Sequence, residues 1–131
     1  MKAAIIINPD LPTGLLANAV ACITSGLFLD GKDLVGNTIE GEDVSYIPIT
    51  KIPILILKPG NTPIMELVRQ AQTKNLKYMA FTEEGQSTTN YEEYEKRVIG
   101  KSINDVTLVG LGVVGPDELV NSLCGNLPML R

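Results

Sequence analysis

The sequence predicts an α/β domain of three layers, in which a mixed sheet of about four strands lies between helices. Three observations lead there. Short, continuous apolar runs recur along the chain, as in strands buried on both faces. Segments with apolar residues at helical spacing separate them. Prolines stand where helices should begin, and glycine or asparagine where they should end. Residues 1–131 read as one domain, long enough for a real core, with no internal repeat or low-complexity stretch.

Residues 2–7 (KAAIII) form the first expected strand. Two prolines keep residues 8–12 (NPDLP) out of regular structure. Thr13 is the expected N-cap of a long helix opened by Gly14, with Leu15, Leu16, Ala19, Val20, Ile23 and Leu27 facing the sheet. Asn18, Cys22 and Ser25 recur beside that face and would line a pocket or touch a second helix or subunit. Residues 11–29 carry no charge, the mark of a helix covered on more than one side, so this helix is also a candidate homodimer interface.

Residues 33–43 (DLVGNTIEGED) read as irregular, with a bend at Glu40-Gly41, and Pro48 restricts residues 44–49 (VSYIPI) to an edge segment. Residues 53–58 (PILILK) form the next buried strand. Thr62 would cap, and Pro63 begin, a helix with Ile64, Leu67, Val68 and Ala71 inward and Asn75 near its end. Residues 78–81 (YMAF) form a third strand, followed by a polar loop over 82–89. Asn90 with Glu93 predicts a capping box for a short charged helix over 91–99. Residues 106–114 (VTLVGLGVV) form the last strand. Pro116 begins a final helix closed by Gly125, and the tail, with Leu127, Met129 and Leu130, should pack back on the domain.

Composition narrows the chemistry. The chain has no histidine, which removes Ser-His and Cys-His pairs and imidazole metal ligands. Two cysteines, Cys22 and Cys124, are too few for a structural zinc site, so no metal or cofactor is expected. A net charge of −4 disfavours nucleic acid. The charge-free stretch is interrupted by proline, glycine and polar residues, so no membrane span is expected. Asn8-Pro9-Asp10 breaks the first apolar run too early for a signal peptide, which points to the cytoplasm.

Residues 110–115 match the dinucleotide fingerprint GxGxxG, but the pattern lies inside a strand rather than in a turn. Asp117 and Glu118 would also oppose a phosphate at the following helix. Strand glycines that let a helix approach closely explain it better. The polar loop over 82–89 follows a strand, where open α/β sheets bind ligands. If the first and third strands are neighbours, Asp10, Asn18 and Glu83 converge on one cleft. Glu83 or Asp10 would then be the candidate catalytic base, and Asp10, Thr13, Asn18, Cys22, Glu83, Gln86 and Thr88 the candidate ligand-binding residues for a small polar molecule.

Asp10-Leu11, Gly14, the small-residue helix and the block VGLGVVGP at 109–116 together resemble the type 2 peptidyl-tRNA hydrolase superfamily. More closely, NPDLP-GLLANA, FTEEGQSTTNYEEY and the terminal GNLPMLR resemble the bacterial family called domain of unknown function 2000. The resemblance implies a three-layer α/β/α hydrolase-like fold and no established activity. The hydrolases carry a lysine where this chain has Leu15, and a glutamine and a histidine where it has Ala19 and Cys22. Their loop aspartate corresponds most nearly to Glu83. The resemblance therefore implies the fold and the cleft without the hydrolase lysine and histidine, and argues against peptidyl-tRNA hydrolysis.

Overall fold

A computed structural model describes residues 1–131. Its centre is a four-stranded mixed sheet in the order β4-β1-β6-β5. The strands are β1 (Lys2–Ile7), β4 (Ile54–Leu57), β5 (Lys77–Thr82) and β6 (Leu108–Gly115). β1 runs parallel to β4 and antiparallel to β6, and β6 is antiparallel to β5. The two inner strands are the two longest apolar runs, as burial on both faces requires.

Alternate residues of these strands feed two cores. Ala4, Ile6, Leu111 and Val113 meet Leu67, Val68 and Ala71 of α2 (Ile64–Thr73) and Val120, Leu123 and Cys124 of α5 (Asp117–Cys124). Ile5 and Ile7 face Ala19 and Ile23 of α1 (Thr13–Leu27). The period of two thus divides one strand between two helical layers. The tail covers the outer edge of β4: the Lys58 N–H donates to the Pro128 carbonyl at 2.9 Å and the Leu130 N–H donates to the Ile56 carbonyl at 3.0 Å.

All three main helices start one residue after a proline. Pro12, Pro63 and Pro116 hold the N-cap positions with extended ψ and no side-chain cap. Thr13 is therefore the first helical residue, not the cap, and Thr62 does not cap α2. A proline has no N–H to leave unsatisfied there, and its carbonyl still accepts the first helical bond, as Pro12 does from Leu16 at 2.9 Å. Leu15, expected on the inner face, lies in the first turn and is 45% exposed. Asn75 ends α2 in the left-handed region at φ 55°, a conformation asparagine tolerates.

The predicted polar loop begins with a helical turn, α3 (Glu83–Gln86), whose N-cap Thr82 accepts from the Gly85 N–H at 3.1 Å. α4 (Tyr91–Val98) is capped by Asn90, which accepts from the Glu93 N–H at 3.2 Å. Half of the expected capping box is present; the Glu93 carboxylate lies 3.5 Å from Arg97. Residues 33–51 extend as a hairpin arm ending in a two-stranded ribbon, β2 (Ile39–Glu40) with β3 (Ser45–Tyr46), which is not part of the main sheet.

The strand glycines are packing devices. A Cβ at Gly112 would lie 2.4 Å from Ile23 Cγ2, and one at Gly110 would lie 2.7 Å from Ile23 Cδ1. α1 rests directly on the β6 backbone, so the GxGxxG match has no phosphate-binding turn.

Candidate functional site

One face of α1, the end of β5 and the α3–α4 unit enclose a pocket of about 370 Å³. Asn18, Cys22, Ser25 and Gly26 form the α1 wall, at the i, i+4, i+7 and i+8 positions of one helical stripe. Met79 and Phe81 come from β5. Gly85 and Gln86 of α3, Thr88, and Tyr91 and Tyr94 of α4 close the opposite side.

Hydrogen bonds tie the two walls together. The Gln86 side-chain amide donates to the Leu15 carbonyl at 2.7 Å and to Asn18 Oδ1 at 3.2 Å. The Cys22 thiol lies 3.9 Å from the same Asn18 oxygen. Behind the site, the Glu84 carboxylate accepts from the Thr107 N–H at 2.9 Å, pinning α3 to the strand leading into β6. Arg97 donates to the Glu84 carbonyl at 3.3 Å and to Ser87 Oγ at 2.9 Å, locking α4 onto α3. The charged groups of this region therefore hold its frame from outside, and no aspartate, glutamate, lysine or arginine lines the pocket.

The aromatic wall is closely built. Tyr91 and Tyr94 meet edge to face with centroids 5.6 Å apart. The Tyr94 ring sits so near α3 that a Cβ at Gly85 would lie 2.7 Å from its Cε1, so this position admits no side chain without moving the ring. Burial, and secondarily the neighbouring Tyr91, push the Tyr94 hydroxyl above its ordinary range, leaving it a neutral phenol at physiological pH.

Four of the sequence-nominated residues, Asn18, Cys22, Gln86 and Thr88, come together here. Asp10, Thr13 and Glu83 do not. β6 inserts between β1 and β5, so the first and third strands stand two strand spacings apart, about 10 Å. Asp10 lies instead in a separate depression of about 360 Å³ with Lys58, Asn61 and Pro128 at the end of β4. Thr13 is exposed at the start of α1, and Glu83 is exposed while its N–H donates to the Thr107 carbonyl at 2.8 Å. Sequence reasoning missed the aromatic wall. The i, i+3 spacing of Tyr91 and Tyr94 on a short helix was the available signal, and their role depended on α4 folding back over β5.

No three histidine, cysteine, aspartate or glutamate side chains gather as a metal-binding group. No helix is long and apolar enough to cross a membrane.

A family model described as "Protein of unknown function (DUF2000)" matches residues 1–131. The chain belongs to the DUF2000 family. Its structure is similar to that of Atu0240, a protein of unknown function from Agrobacterium tumefaciens strain C58. The two share 17% identity over 99% of this chain and 97% of the other, with a TM-score of 0.89. No curated protein matches this DUF2000 chain significantly. At that identity the likeness is one of fold.

Proposed function

We propose that this DUF2000 protein is a binding module for a small, uncharged molecule with a flat apolar body and a polar edge. The carrying observation is the pocket's mixed lining: the apolar surfaces of Met79, Phe81, Tyr91 and Tyr94 together with the amides of Asn18 and Gln86 and the Thr88 hydroxyl. Its volume of about 370 Å³ falls within the range of small-molecule sites. Aromatic faces favour flat ligands, and primary amides read both donors and acceptors. The absence of a lysine or arginine in the lining disfavours phosphates and carboxylates, which would be desolvated without a partner.

A purely binding role fits the chemistry of the walls. Cys22 is the only thiol facing the pocket, and its polar neighbour is an amide oxygen that cannot take its proton. The resemblance of the sequence to type 2 peptidyl-tRNA hydrolases supports the same reading, since on that resemblance half-exposed Leu15 would stand at the hydrolase lysine position and Cys22 at the histidine position.

The test is a thermal-shift and ligand-detected NMR screen pairing neutral flat compounds (nucleobases, nicotinamide, aromatic amides) with their phosphorylated or carboxylated relatives. A neutral compound at about 100 times its Kd adds about 2.7 kcal/mol of stability, which the charged relative does not. Asn18→Leu and Tyr94→Ala each abolish the shift. A panel in which only the anions bind would refute the proposal.

A further inference from the structure

The two amides that tie α1 to α3 leave a defined pair of atoms unused. The Leu15 carbonyl can only accept, so the Gln86 atom 2.7 Å from it is the amide nitrogen. The same nitrogen donates its other hydrogen to Asn18 at 3.2 Å, and the atom it meets must be the oxygen, Oδ1. The Cys22 thiol lies 3.9 Å from that oxygen as well. One backbone carbonyl thus fixes the orientation of both amides. What remains is Asn18 Nδ2, a donor, and Gln86 Oε1, an acceptor. Neither has a partner in the protein, and neither is sealed from solvent, because no buried side-chain nitrogen or oxygen of this chain is unpaired. Thr88, by contrast, is occupied: its hydroxyl donates to the Asn90 carbonyl at 3.2 Å and accepts from the Asn90 N–H at 3.1 Å.

We infer that these two atoms make the pocket selective for a ligand with a cis-amide edge, a carbonyl oxygen beside an N–H, as in a primary aromatic carboxamide or a ring lactam. The inference rests on the reading of the pocket as a site for a flat neutral molecule and narrows it to one hydrogen-bonding edge. The ligand carbonyl accepts from Asn18 Nδ2 and the ligand N–H donates to Gln86 Oε1, while the ring packs among the aromatic and methionine side chains of the lining. A carboxylate of the same shape sets its second oxygen against Gln86 Oε1. An amidine sets N–H groups against Asn18 Nδ2. Each places like poles together where water has been displaced. The acceptor is held before any ligand arrives, because the α3 turn that carries Gln86 is pinned by the Thr82 cap and by the Glu84 bond to Thr107. Little side-chain freedom is then lost on binding.

The test titrates four probes of nearly one shape, benzamide, acetophenone, benzoate and benzamidine, by ligand-detected NMR against the wild type and Asn18→Asp. The wild type should bind benzamide at least about tenfold more tightly than the other three, the factor expected when a polar group is left unpaired. Asn18→Asp keeps an oxygen toward Gln86 and turns the free donor into an acceptor, so the preference should pass to benzamidine, which donates to both acceptors. Asn18 is exposed on α1, so this variant should melt as the wild type does. Equal binding of benzamide and acetophenone to the wild type overturns the inference while leaving the pocket a site for flat neutral molecules. Benzoate binding in place of benzamide overturns both readings. A folded Asn18→Asp protein that still prefers benzamide overturns the inference, as does a wild type that binds none of the four.

Discussion

Replacing Gly112 with alanine adds one methyl group at the point where α1 lies closest to β6. Built on the present backbone, that carbon would stand 2.4 Å from Ile23 Cγ2 and 3.3 Å from Leu27 Cδ2. Ile23 is fully buried, with no free volume to swing into, so the helix must lift or the side chain leave its rotamer. Overpacking of this kind costs about 1–3 kcal/mol, and the better strand behaviour of alanine returns only about 0.5 kcal/mol. The expected net loss is about 1–2 kcal/mol, a fall in Tm of several degrees for a domain of this size. Ile23→Ala by itself removes the offending Cγ2 and leaves a cavity, at a cost of about 2–5 kcal/mol. Because the new methyl group occupies part of that cavity, the double variant should lose less than the sum of the singles by about 1 kcal/mol or more. Urea denaturation of the four proteins measures this coupling directly. Additive losses, or a Gly112→Ala protein as stable as the wild type, would refute the claim that the glycine exists to seat the helix.

Four other predictions concern different layers. Cys22, half-buried in the pocket wall, should react with a thiol reagent in the native protein, whereas Cys124, buried and donating to the Val120 carbonyl at 3.1 Å, should react only after unfolding; equal native reactivity would contradict the placement. Burial pushes the Cys124 thiol above its ordinary range, with Lys2 opposing, so its contribution to stability is full below the ordinary thiol pKa and is lost as pH rises through the raised value. Alkaline melting curves of wild type and Cys124→Ala should therefore converge, and parallel curves would exclude the thiol as the source. Deleting residues 127–131 removes the tail's two bonds to β4 and uncovers Leu57, so the shortened protein should be less stable by about 2–4 kcal/mol and prone to associate through that edge. Asn90→Ala removes the α4 cap and should cost about 1 kcal/mol in chemical denaturation, while leaving the α1–β6 core intact.

The four strands and the main helices were legible in the sequence because their signals are local. KAAIII and VTLVGLGVV announce buried strands by their unbroken apolar character, and α2 and α5 show their inner faces at helical spacing. α2 and α5 start one residue later than expected because Pro63 and Pro116 serve as N-caps rather than as first helical residues, and α1 starts one residue earlier because Pro12 takes the cap position expected of Thr13. α3 was hidden in a polar loop because a single turn of EEGQ has no periodicity to read. The packing role of Gly110 and Gly112 was readable from their position inside a strand; the partner, Ile23, was not.

The sequence by itself determined the α/β class, the buried strands, the charge-free first helix and the absence of histidine chemistry, since each depends on composition or short-range order. Only the tertiary structure decided which polar residues share a site. The insertion of β6 between β1 and β5 sent Asp10 and Glu83 apart and left Asn18, Cys22, Gln86 and Thr88 together under the Tyr91–Tyr94 wall. The physical reason is that strand order follows from which apolar faces bury best against the helices on both sides of the sheet, a sum over contacts distant in sequence. A tyrosine at an exposed-looking helix position acquires its meaning from what the rest of the chain does or does not lay over it.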